Sequence, residues 1–183
     1  MFYKIPLNLK IVDLERIKGQ AIQKYGPKDT KLTHYTIADI EYFKNLHIGK
    51  VKFHIMPNSV HYTEIEGTEP IPPHVDPDDS VALNYYIDPV GCTTTFYHIP
   101  DHNAKFVTSG QDLNPYDHRI VKSMKFHDLV INCAFTAQAG EAYLLRTDVY
   151  HAVSTPVGIR KFISYRWGGI DFETVYKSIQ IIS

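Results

Sequence analysis

The chain has 183 residues, of which 44% are apolar and 21% charged, with a net charge of −1 and two cysteines. These values exclude a disordered chain, a disulfide scaffold and a protein whose main work is neutralising phosphates, because such domains are strongly basic. They fit one compact domain over 1–183, and with only short apolar runs and no signal-peptide pattern in MFYKIPLNLK, the expectation is a soluble, cytoplasmic protein with neither membrane nor nucleic acid as partner.

Read in chain order, the hydrophobic period changes once. Asp13 is a plausible N-cap, and Leu14, Ile17, Ala21, Ile22 and Tyr25 fall on one helical face that Gly26-Pro27 ends. Thr36 and Asp39 resemble a capping box before a second apolar stripe at Ile37, Ile40, Phe43 and Leu46, stopped by Gly49. Residues 1–50 are therefore expected to be a helical N-terminal part packed on the outside. From 51 onward the segments VKFHIM, VALNYYID, TTTFYHI, DLVINCAF, AYLLR and IRKFISYRW read as short strands rich in Val, Ile, Tyr, Phe and Thr. Many short strands with helices only before them predict a mainly β sandwich or closed barrel over 51–183, not βαβ units. IPPHVDP and the stretch from Pro100 to Pro115 read as loops, the second long enough for a lid or binding loop.

Charge is unevenly spread, with ten Lys or Arg against five acids in residues 1–52 and an acidic remainder. Cys92 and Cys133 lack CxxC spacing and read as free thiols.

Chemistry enters where strands meet loops. His74 and Asp76 are two residues apart, so on extended backbone both side chains leave the same face and can grip one ion. His151, after AYLLR and a short turn, supplies a third ligand. Two imidazoles and one carboxylate on one face form the facial triad of non-haem Fe(II) oxygenases, with open positions opposite. Asp78 and Asp148 are rival carboxylates, and His98 and His102 are separated by Pro100, which removes the helix that would align them. Arg160 opens a strand whose period of two puts it on one face with Phe162 and Ser164, where a guanidinium could turn into the cavity of the metal. Such a group needs an anion, and a dicarboxylate cosubstrate could supply one. Arg166 shares that face and is the alternative anchor.

PPHVD, then NYYID, then GxxTTFY, then H-x8-RKFISYRW together resemble the 2-oxoglutarate and Fe(II)-dependent oxygenases, especially their prolyl-hydroxylase-like branch, over about residues 51 to 170. The resemblance implies a double-stranded β-helix, the jelly roll of cupin-like proteins. It implies iron at His74, Asp76 and His151, with Arg160 anchoring the distal carboxylate of 2-oxoglutarate and Tyr86 bonding to it. Asn84, on the face of Tyr86, joins the cosubstrate-binding set. The implied activity is hydroxylation of a peptide side chain or small metabolite, with 2-oxoglutarate and O2 converted to succinate and CO2 and ascorbate as an accessory reductant. Two other functions compete. A cosubstrate-independent cupin-like enzyme typically uses HxH with a downstream Glu, and this chain has no HxH; a non-catalytic binding barrel would be expected to have lost a ligand or the arginine.

Overall fold

A computed structural model describes residues 2–6, 12–25, 31–39, 41–42, 51–67, 70–76, 80–98, 130–154 and 157–181. The elements run β1 (Phe2–Ile5), α1 (Leu14–Ile17), β2 (Lys18–Tyr25), β3 (Lys31–Ile37), β4 (Val51–Phe53), β5 (Ser59–Glu66), β6 (Ile71–His74), β7 (Val81–Asp88), β8 (Thr93–His98), β9 (Val130–Thr136), β10 (Ala142–Arg146), β11 (His151–Val153), β12 (Arg160–Trp167), α2 (Phe172–Ser178) and β13 (Ile179–Ile181). No helix among these residues is long and apolar enough to cross a membrane.

Strand order establishes the architecture. One sheet is ordered β1-β10-β7-β12-β5-β3-β2 and a second β6-β11-β8-β9. The eight strands β5 to β12 thus divide four and four between two antiparallel sheets, which is the double-stranded β-helix, or jelly roll. β1 extends the larger sheet at one edge and β3-β2 at the other, while β13 and β4 form a separate ribbon.

Period two on the strands sorts side chains into two cores. Val81, Leu83 and Tyr85 of β7, with Ile163, Tyr165 and Trp167 of β12, face outward onto a cluster completed by Ile17, Phe172 and Val175 from the helices. Trp167 Nε1 donates to the Ile55 carbonyl at 3.1 Å, so this fully buried ring leaves no orphan donor. The alternate residues, Tyr86 and Phe162 among them, face inward and meet Phe96 and Phe135 of the second sheet.

The N-terminal part differs from the helical expectation. Asp13 does cap a helix, accepting from the Glu15 amide at 3.1 Å, but α1 lasts one turn before the chain becomes β2. Sheet pairing with β3 overrides the helical spacing of Ala21 and Ile22, a tertiary choice that propensity alone does not set. Thr36 and Ile37 likewise belong to β3, and it is Asp39 whose side chain accepts from the Tyr42 amide, at 2.8 Å. The remainder of the expected second helix, 40 and 43–50, lies outside the described residues. Glu64 ties these added strands to the jelly roll, pairing with Lys18 of β2 at 2.8 Å and accepting from Tyr35 of β3 at 3.1 Å and Tyr62 of β5 at 2.8 Å.

A bulge between Lys18 and Ala21 offsets the β2–β3 register, and there the Gln20 amide donates to Thr36 Oγ1 at 2.9 Å. A Cβ on Gly19 would stand 2.7 Å from the Thr36 carbonyl oxygen and 2.5 Å from its Oγ1. Gly19→Ala is therefore expected to lower stability by about 1–3 kcal/mol, the usual cost of forced overpacking, measured by urea denaturation.

Candidate metal centre

β6 ends on His74 and β11 begins on His151, and the two histidines are direct cross-strand partners. Their ring centroids lie 4.3 Å apart. Asp76 follows on the loop after β6, held by its amide donating to the Thr147 carbonyl at 3.0 Å. His74 Nε2 is 3.5 Å and His151 Nε2 4.0 Å from Asp76 Oδ1, and the ligand atoms of all three residues lie within 4.8 Å of one another. This is the one such cluster of His, Cys, Asp and Glu among the described residues.

Each imidazole is oriented in the same way. Nδ1 of His74 lies 2.8 Å from the Pro72 carbonyl, and Nδ1 of His151 lies 2.9 Å from that of Val149. A carbonyl only accepts, so Nδ1 carries the proton and Nε2 of the neutral ring keeps its lone pair for an ion. Two such nitrogens and one carboxylate oxygen within reach of one another could hold a divalent transition metal.

Electrostatics agree with that donor set. Burial pushes against the ionised Asp76, but the His74 hydrogen bond and the charges of His151, His74 and Arg166 outweigh it and hold the carboxyl well below the usual range. Burial also works against protonated His74, yet the Asp76 hydrogen bond and charge win and raise its pKa. Burial and then the His74 charge push His151 down to about 4. Between about pH 4 and the His74 pKa, an entering metal therefore displaces one proton, from His74. Metal affinity is expected to rise about tenfold per pH unit until the His74 pKa is passed and then level off, as read by titrating Mn(II) or Co(II) across pH.

Arg160 is the second component. It is only 4% exposed, at the start of β12, where Nη2 donates to Tyr86 Oη at 3.0 Å and to Thr94 Oγ1 at 3.3 Å. Its guanidinium also stands over the Tyr86 and Phe162 rings, 5.1 and 5.3 Å from their centroids. Nε is buried with no hydrogen-bond partner, and no described carboxylate lies within ion-pair distance of this cation. Asn84 lies on the same inner face between Tyr143 and Ser164, its Oδ1 buried and unpartnered. Arg166 lies at the opposite end of β12, bonding Ser164 Oγ at 3.3 Å, with its charge on Asp76.

The structure thus gathers His74, Asp76 and His151 in one cluster, with Arg160, Tyr86 and Asn84 on the inner face of the facing sheet. Asp148 is exposed and paired with Arg146 Nε at 2.9 Å, so it is not a fourth ligand. Asp78, His102 and the loop through 118 lie outside the described residues. Thr94 carries no motif of its own, and the sequence signal for it is its place two residues before Phe96 on one strand face.

No protein-family model matches the chain, and no curated protein matches it. Among solved structures it is similar to procruciferin, an 11S globulin from Brassica napus, at 11% identity and a TM-score of 0.36, over 86% of this chain and 27% of that one. The chain therefore spans about a quarter of the globulin's length, and the fold assignment rests on the strand order.

Proposed function

We propose that the chain is a non-haem Fe(II) and 2-oxoglutarate-dependent oxygenase of the prolyl-hydroxylase-like kind, hydroxylating a peptide side chain or a small metabolite. The observation that carries this reading is Arg160: a desolvated cation without a described carboxylate, on the inner face of the barrel whose facing sheet carries a 2-His-1-carboxylate cluster. A buried charge is costly unless paired, and a small dicarboxylate would pair it.

His74, Asp76 and His151 would hold the iron, which when bound supplies oxidation of a substrate C–H bond coupled to conversion of 2-oxoglutarate and O2 to succinate and CO2. The protein's own groups bind and orient. Arg160 offers the planar donor fork that matches a carboxylate, and Tyr86 and Thr94 fix that fork in place by accepting from Nη2. Aromatic walls at Tyr86, Phe96 and Phe162 exclude water from the space around the guanidinium, which strengthens any pairing made there. Asn84 Oδ1 offers a buried acceptor on the same inner face.

The test is turnover without a prime substrate. Purified protein supplied with Fe(II), ascorbate and O2 is expected to convert 2-oxoglutarate slowly to succinate, followed by mass spectrometry. Absence of both turnover and metal-dependent 2-oxoglutarate binding overturns the reading.

A further inference from the structure

Six aromatic rings form a chain from the Arg160 side of the barrel to the triad. Phe162 neighbours Tyr86, with centroids 5.9 Å apart; Tyr86 neighbours Tyr143 at 6.1 Å; and Tyr143 stacks on Phe135 at 4.1 Å and 16°. Phe135 then meets Phe2 at 4.5 Å, Phe2 meets Phe96 at 6.0 Å, and Phe96 lies over His151 at 5.8 Å.

Phe2 belongs to β1, outside the eight strands of the jelly roll. It stands opposite Leu145 of β10, while Phe135 comes from β9. β9 is the last strand of its sheet, and among the described residues β9 and β10 share no ladder, so the described contact between them is made by side chains. Phe135 on Tyr143 makes that closure, and Phe2 wedges against both, 5.7 Å from Tyr143. The next residue, Tyr3, faces the other way and stacks on Phe172 and Tyr176.

We propose that β1 is a strap over the seam between β9 and β10 and that Phe2 is a positioning residue, walling the cosubstrate chamber and backing Phe96 beside His151. The inference rests on the oxygenase reading and deepens it. Two effects follow from removing the ring. Water reaches the chamber, raising the local dielectric around Arg160 and weakening its grip on a carboxylate. Phe96 also loses a packing neighbour, so the wall between guanidinium and triad loosens.

The experiment uses the full chain loaded with Co(II), which binds such ligand sets without redox turnover, and measures 2-oxoglutarate binding by calorimetry. Phe2→Leu keeps apolar bulk and strand pairing, and is expected to weaken 2-oxoglutarate binding about tenfold, the scale of lost aromatic contacts, while Co(II) affinity stays within about threefold. Phe2→Tyr restores the ring and is expected to bind within about twofold of the unaltered protein. Tyr3→Leu, on the same strand but the outer face, should lower the melting temperature and leave 2-oxoglutarate affinity unchanged. If Phe2→Leu binds like the unaltered protein, or no more weakly than Tyr3→Leu, the strap assignment fails while the oxygenase reading stands. An equal loss in Co(II) affinity also overturns it, because the effect would then belong to the ligands. If the unaltered Co(II) protein binds no 2-oxoglutarate, both fall.

Discussion

His151→Ala is expected to abolish metal binding, a loss larger than the roughly 10–100-fold that changes to outer-shell partners alone produce. On the proposed reading the imidazole is one of three ligands and the cross-strand partner of a second, so its loss leaves His74 and Asp76, two donors two residues apart. The fold should survive, since the inner core of Tyr86, Phe96, Phe135 and Phe162 and the separate outer core are left in place. Calorimetric titration with Co(II), beside a circular dichroism melt, separates the two effects. Retained Co(II) affinity in a folded variant would sink the assignment of the third ligand.

Arg160→Met is expected to act in opposite directions on two measurements. Without ligand, the variant replaces a desolvated guanidinium by an apolar chain of similar length, and the melting temperature should hold or rise, as it often does when buried charge is replaced by well-packed hydrophobic groups. With metal present, 2-oxoglutarate binding should weaken by about 1.5–3 kcal/mol, the range for hydrogen bonds to charged groups, or roughly 10–150-fold. The thermal shift produced by 2-oxoglutarate should shrink accordingly. A fall in ligand-free stability with unchanged 2-oxoglutarate affinity would make Arg160 a structural residue.

The difference in legibility between the two halves of the chain has a physical origin. β7 could be read residue by residue, because Val81, Leu83 and Tyr85 alternate with Ala82, Asn84 and Tyr86, and the structure packs the first set into the outer core and Tyr86 into the inner one. β10 and β12 matched the segments AYLLR and RKFISYRW for the same reason. β5 went unread: its SVHYTEIE places polar His61 and Thr63 on the inner face, a pattern that binary patterning takes for surface. Ala21 and Ile22 satisfy helical spacing, whereas what decides their state is a pairing with β3, itself paired with β5, that no local window contains. The proximity of His74 to Asp76 was legible because HxD is local. The approach of His151 to that pair required its strand context, and the bonds from Arg160 to Tyr86 and Thr94 span 74 and 66 residues.

The direct pairing of His74 with His151 makes the proposed ligand set depend on β-sheet alignment. Sliding β11 by a single residue against β6 would carry the His151 imidazole to the opposite side of the sheet, because side chains alternate. Chain gained or lost in the connections beyond Asp76 and away from β11 should leave the cluster in place, whereas an odd insertion inside either strand should break it. Evolutionary drift in length should therefore concentrate in the connections and spare 71–76 and 151–153.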